Sequence, residues 1–256
     1  MSHEVKRART GLRLARVLVC AATVVPLLRW VVVVHAVPVG QPWRSACPAC
    51  DTAVGPSGSL GALTPRARCG VCGLRLGPPP WAVELAVLAS VAMLVRSGLP
   101  AVPLLAYGWW AALGVVQAFV DAAVQRLPTR VSYLASAGLM IVLAVDALAG
   151  HGWSAWLRAA AGALVSGVVL AVAVLAAPGL VHRGDVRYGL AIGAAAAWVG
   201  WLALYTAAFL ASLAVALVGV GLILTGRATR KSQLPQGPFM YAATLLAVVL
   251  LFCRVS

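Results

Sequence analysis

The chain has 256 residues, 62% of them hydrophobic and only 10% charged, and its mean hydropathy of +0.95 lies far above that of soluble globular domains. Its apolar runs are apolar on every face and are broken by Gly, Pro and Arg, which excludes a β-barrel, whose strands of about 10 residues alternate polar and apolar. The net charge of +14 would fit a nucleic-acid partner in a soluble protein, but in so apolar a chain it reports membrane topology, and nucleic acid is set aside.

Residues 1–16 carry Lys6, Arg7, Arg9, Arg13 and Arg16 and lead into an apolar run over 17–39. That run is too long for a signal peptide and has no small-residue cleavage site, so it is read as a first transmembrane helix, with Arg29 inside it. Residues 1–39 thus form one unit. Over 40–80 the composition changes to Gly, Pro, Ser, Arg and four cysteines, a loop that folds only if something staples it. Apolar segments follow at 81–97, 99–120, 131–150, 156–181, 187–203, 204–225 and 239–253, and residues 81–256 form the bundle. The expected fold class is all-α, a polytopic helix bundle of about eight spans in a lipid bilayer.

Alternating the sides of these spans puts the cysteine loop, Arg126, Arg130, Arg183, Arg187, Arg227, Arg230 and Lys231 on one face, and only Arg96, Arg158 and Arg254 on the other. By the positive-inside rule the first face is cytoplasmic, as in a bacterial inner membrane. The basic tail at 1–16 runs against this rule, because the same alternation leaves it outside.

Within the loop, Cys47-Pro48-Ala49-Cys50 and Cys69-Gly70-Val71-Cys72 form two C-x-x-C pairs, the spacing of a tetrahedral four-cysteine zinc site. Arg66 and Arg68 would favour thiolates, and Gly70 and Gly73 would permit tight turns. The alternative is a pair of disulfides, which a reducing cytoplasm disfavours. Zinc held by Cys47, Cys50, Cys69 and Cys72 would be structural, since four thiolates leave no position for water. Cys20 and Cys253 lie in apolar runs and read as packing residues.

Six carboxylates occur in the whole chain. An acidic group in or beside hydrocarbon costs about 2.5 to 3.5 kcal/mol at mid-helix, so those present need a reason. Asp121 ends one apolar run ahead of Arg126-Leu127-Pro128, and Asp185 opens another within His182-Arg183-Gly184-Asp185-Val186-Arg187. Both fall at cytoplasmic helix ends, where two close carboxylates would share a proton, one acting as base on water and the other as acid on a carbonyl. Gly184 would let an extended substrate strand approach the backbone. The blander reading pairs Asp121 with Arg126 and Asp185 with Arg187. Asp146 is expected to be a solvated residue on the opposite side, Asp51 a surface residue or neighbour of the metal, and Glu84 a favourable charge at a helix N-terminus.

Taken in order, these motifs resemble the type IV prepilin peptidases, a family of GxGD-type membrane aspartic proteases, over residues 31–239. The two cysteine knuckles are similar to the family's, Val83-Glu84-Leu85 to the helix that follows them, and Asp121 with Arg126-Leu127-Pro128 to the first catalytic aspartate. Gly184-Asp185-Val186-Arg187 resembles the second aspartate's motif, and Leu234-Pro235-Gln236-Gly237-Pro238-Phe239 a segment before the last helix. The resemblance implies an endopeptidase that cuts the basic leader of prepilins or pseudopilins on the cytoplasmic side. His182 stands where the family has the first Gly. Val31 to Pro38 also departs from the family's first-helix exit, which argues against its second activity, N-methylation with S-adenosylmethionine. Two rivals from other classes remain: a non-catalytic zinc-stapled scaffold of a pilus or secretion machine, and a proton-coupled transporter, which would hold its carboxylates near the midplane.

Overall fold

The computed structural model describes residues 23–55, 58–150, 152–176, 181–229 and 232–255. The basic tail, Cys20, Arg230 and Lys231 lie outside the described residues. The fold is all-helical: α1 (Thr23–His35), α2 (Ala82–Arg96), α3 (Ala101–Val124), α4 (Thr129–Leu148), α5 (Trp153–Ala176), α6 (Arg183–Val199), α7 (Trp201–Leu224) and α8 (Gly237–Val255). Among its described residues, the segment between α1 and α2 contains only a short 3-10 helix, Leu60–Leu63, and three isolated β-bridges.

The breaks follow backbone chemistry. Pro100 and Pro128 sit in extended conformation immediately before α3 and α4, where the missing N–H of proline is harmless. Gln125 takes a left-handed conformation to end α3, its N–H returning to the Asp121 carbonyl. The expected boundaries of α2 through α8 shift by one to five residues. The one with a consequence is α3, which runs to Val124, so that Asp121 lies inside its last turn.

Of the eight expected spans, α3, α4, α5 and α7 are long and apolar enough to cross a membrane. The described part of α1 and the stretch Gly237–Cys253 are shorter apolar helices. With 15 residues, α2 covers about 22 Å at 1.5 Å per residue, short of the roughly 30 Å of hydrocarbon. Long apolar side chains cover the outside of α5 and α7, among them Leu164, Val168, Val172, Leu202, Phe209 and Leu217. Water would not tolerate so continuous a patch; lipid would.

At the centre stands α6, buried at Tyr188, Gly189 and Ala191 through Trp198, with α3, α4, α5, α7 and α8 around it. Its closest partner is α5. Gly162 of α5 faces Gly193 and Ala197 of α6, Gly167 faces Leu190, and Gly189 faces Leu170 and the Ser166 carbonyl. A Cβ on Gly162 or Gly193 would collide with the facing backbone, so the helices touch main chain to main chain, as small residues spaced four apart permit. At the far end the Arg158 guanidinium donates to the carbonyls of Ala197 and Trp198 at 2.7 and 2.6 Å, satisfying the C-terminus of α6. The Tyr107 hydroxyl of α3 donates to Ala195.

Candidate functional site

The four loop cysteines converge. Cys47 Sγ lies 3.6 Å from Cys72 Sγ, Cys50 Sγ lies 3.6 Å from Cys69 Sγ, and all four sulfurs fall within 4.8 Å of one another. Four sulfurs at about 2.3 Å from a common ion stand about 3.8 Å apart, whereas a disulfide needs about 2.05 Å. The four are free thiols, which fits the metal and not the disulfide alternative.

Each pair is built on the same turn. The Asp51 N–H donates to the Cys47 carbonyl and the Gly73 N–H to the Cys69 carbonyl, with Asp51 and Gly73 both left-handed, at φ 53° and 71°. The bridges Ala46 to Ala53 and Arg68 to Arg75 close the two turns. Gly73 therefore serves as expected, while Gly70 instead donates its N–H to Ser59 Oγ at 2.8 Å. Arg68 reaches the Gly73 carbonyl. The sulfurs are unequal. Hydrogen bonds from Thr52 pull the Cys50 thiol down to about 6. The Leu74 N–H also pulls on Cys72, but desolvation and the sulfurs of Cys47, Cys50 and Cys69 outweigh it and push Cys72 up to about 12. Four sulfurs this close carry full negative charge only around a cation. The cluster could therefore hold a metal ion such as zinc.

The loop has its own small core, in which Val33, Val54, Ala62, Ala67 and Leu76 pack with Cys47 and Cys69. Arg44 ties its two ends, donating to Leu76 at 2.6 Å and Ala36 at 3.2 Å. Arg126, at the turn between α3 and α4, donates to Pro38 and Gln41 and lies 3.9 Å over the Trp43 ring. The cysteine loop and the end of α3 are thus joined.

There, Asp121 and Asp185 line one small cavity of ≈ 20 Å³ with Gln125, Leu127, His182, Gly184, Leu234 and Gln236. Asp121 is 5% exposed and Asp185 4%. Each carboxylate meets a helix N-terminus, where N–H groups have no partner inside their helix. The Gly237 N–H at the start of α8 donates to Asp121 Oδ2 at 2.7 Å. Asp185, in the first turn of α6, accepts the His182 N–H on Oδ2 at 2.7 Å, with the His182 ring nitrogen 3.9 Å from that oxygen. The expected arginine partners are occupied elsewhere: Arg126 in the loop, and Arg187 on Thr129 Oγ1 at 2.6 Å. Among the described residues neither aspartate pairs with an arginine.

Gly184 borders the same cavity and faces the Leu127 side chain, where a Cβ on it would lie 3.2 Å from Leu127 Cβ. The segment before α8, to which the sequence assigns no site residue, takes a direct part in this cavity. Leu234 and Gln236 line the cavity, Gln125 anchors the segment through the Gln233 carbonyl at 2.7 Å, and Gly237 grips Asp121.

Two other carboxylates behave differently from expectation. Asp146 is 8% exposed, so it is not a solvated residue; its position in the last turn of α4 turns it inward beside Ala147, toward the bundle. Glu84 does lie in the first turn of α2, but it forms an ion pair with Arg29 of α1, itself 2% exposed. Arg29 Nη1 also donates to the Leu63 carbonyl at 2.6 Å. The arginine that seemed to interrupt the first helix instead locks α1, the loop and α2 together. The chain matches no protein-family model, no curated protein and no solved structure.

Proposed function

We propose that this protein is a membrane aspartic endopeptidase that cleaves the leader of prepilin-like proteins at the cytoplasmic face of a bacterial inner membrane, with Asp121 and Asp185 as its catalytic pair. One observation carries the reading. Two of the six carboxylates in the chain, on different helices, share one cavity without a cationic arginine and are each held by a backbone N–H. An ion pair or a solvated surface would need neither feature, whereas two carboxyls that exchange one proton need both.

The cavity between them is large enough for one water, which needs roughly 10 to 15 Å³. The ionised carboxyl takes a proton from that water as its oxygen attacks the scissile carbonyl, and the protonated carboxyl gives its proton to the carbonyl oxygen. Collapse of the tetrahedral diol breaks the C–N bond as the first carboxyl passes its proton to the leaving amine, and the second, ionised since the attack, takes a proton back from the diol hydroxyl that becomes the product carbonyl. The pair thereby returns to one shared proton. A zinc ion among Cys47, Cys50, Cys69 and Cys72 would cross-link the loop and take no part in the cleavage. The link from Arg126 to Trp43 would carry that rigidity to the rim of the cavity. Leaders of net positive charge suit a pair that keeps one negative charge.

The test is co-expression with a prepilin, read by the mass of its N-terminus. Asp121→Asn and Asp185→Asn are each expected to abolish cleavage with normal membrane insertion, because an amide cannot alternate between base and acid. The double variant is expected to be no worse than either single one. Cleavage retained in either single variant overturns the pair.

A further inference from the structure

A second and larger cavity lies on the side of α3 turned away from the carboxylates. Phe119 and Ala123 stand two residues either side of Asp121, so at 3.6 residues per turn they face almost the opposite way round the helix. They form one wall of this cavity, the end of α1 forms another through Val32 and Ala36, and the end of the cysteine loop from Arg75 forms the third. The cavity measures ≈ 280 Å³, close to the lower end of the roughly 300 to 1,000 Å³ of ligand sites. Arg75 and Ala123 in its lining are exposed, so it opens outward.

Its depth and its chemistry run together. Val32 and Phe119, one turn further into the bundle than Ala36 and Ala123, offer only hydrocarbon. At the outer level stand two guanidinium groups. Arg75 has no hydrogen-bond or ion-pair partner among the described residues. Arg44 spans two of the walls, donating to the Leu76 carbonyl at 2.6 Å and the Ala36 carbonyl at 3.2 Å, and other N–H donors of its five remain for a ligand. No carboxylate lines the cavity. Because α3 is long and apolar enough to cross a bilayer, its last two turns reach the headgroup layer, where a cationic rim over an apolar floor matches the two parts of a lipid.

We propose that this cavity seats one anionic phospholipid, its phosphate between Arg75 and Arg44 and the upper part of an acyl chain against Val32, Phe119 and Ala123. A zwitterionic headgroup suits the rim less, because its ammonium would meet two guanidiniums and no carboxylate. A basic leader suits it least, since it carries the same sign of charge as the rim and its proposed cleavage site is on the other side of α3. A lipid seated here bridges α1, the cysteine loop and the end of α3. The inference goes beyond the peptidase reading and does not depend on it.

The test titrates the full-length protein in detergent with phosphatidylglycerol or with phosphatidylcholine of the same acyl chains, and counts bound lipids by native mass spectrometry. The wild type should hold one phosphatidylglycerol per chain, roughly tenfold more tightly than phosphatidylcholine. Arg75→Gln, at an exposed side chain without a partner, should keep its Tm and cut that preference by about fivefold, the effect of one cation near an anionic headgroup. Ala123→Trp, which fills the cavity, should lose the bound lipid. Equal binding of the two lipids by the wild type, or a preference that neither variant changes, overturns the proposal. Displacement of the lipid by an equal concentration of glycerol 3-phosphate would make this an anion site only, and displacement by a synthetic prepilin N-terminus would give the cavity to the substrate; either result also overturns it.

Discussion

Replacing Gly237 with alanine sets two effects against each other at a single methyl group. That methyl would lie 3.0 Å from Asp121 Oδ2, 3.1 Å from its Cβ and 3.2 Å from its Cγ, all inside the 3.4 Å at which ordinary contact begins. The carboxylate must retreat by a few tenths of an ångström, and the 2.7 Å bond from the Gly237 N–H stretches with it. A charge-assisted hydrogen bond is worth about 1.5 to 3 kcal/mol, so if the pair is catalytic its weakening should slow cleavage by roughly ten- to hundredfold. Stability should move the other way or not at all, because alanine is the better helix former at the start of α8 by up to about 1 kcal/mol. The assay is the initial rate of leader removal, followed by mass, beside thermal unfolding of the same preparation. Wild-type rate would refute the reasoning, because it would mean that Asp121 does not depend on the α8 terminus. A rate loss matched by a large drop in Tm would refute it too, by making the effect one of packing.

Purified protein is expected to carry one zinc per chain, and Cys47→Ser to carry none; metal analysis near zero in the wild type rejects the site. Cys72 is pushed up to about 12 and must give up a proton to bind, so zinc uptake by metal-free protein should weaken as pH falls through neutrality, and more steeply below about 6, where Cys50 is protonated as well. Arg29→Met leaves Glu84 buried without its cation and should lower stability by about 3 to 5 kcal/mol, while Arg29→Met with Glu84→Leu should recover most of it; calorimetry that finds the double variant as unstable as the single one contradicts this. Labelled S-adenosylmethionine should transfer little or no methyl to a mature pilin N-terminus, and transfer at a rate comparable to cleavage would show that the altered first-helix exit does not matter.

The local features of this fold were legible in the sequence. Apolar runs locate α2 through α8 because hydrocarbon enforces a local rule, and the two C-x-x-C pairs announce their cluster because a metal demands fixed spacing. What was not legible is what faces what across distant helices. Arg29 and Glu84 are separated by the whole cysteine loop, and each has a sufficient local explanation, so nothing in either neighbourhood points to the other. Asp146 appears solvated from its place near a helix end, and only the rotation of α4 shows that it turns inward. Gly237 looks like a helix breaker ahead of Pro238, while its actual use depends on Asp121, brought close by tertiary packing. The glycines at 189 and 193 do carry a sequence signal, spaced four apart in an Ala-rich helix, and that spacing alone would have identified α6 as the close-packed one.

The seam between α5 and α6 also sets how the site can move. Where long side chains interdigitate, one helix can slip past another by exchanging rotamers; where main chain meets main chain at Gly162 and Gly193, no rotamer is available to exchange. The two helices are therefore geared together, and Asp185 cannot travel without α5. Asp121 belongs to α3, outside that seam. Any opening that parts the two carboxylates to admit a chain between them is then the swing of a hairpin, with the lipid-exposed face of α5 sweeping the bilayer as it goes.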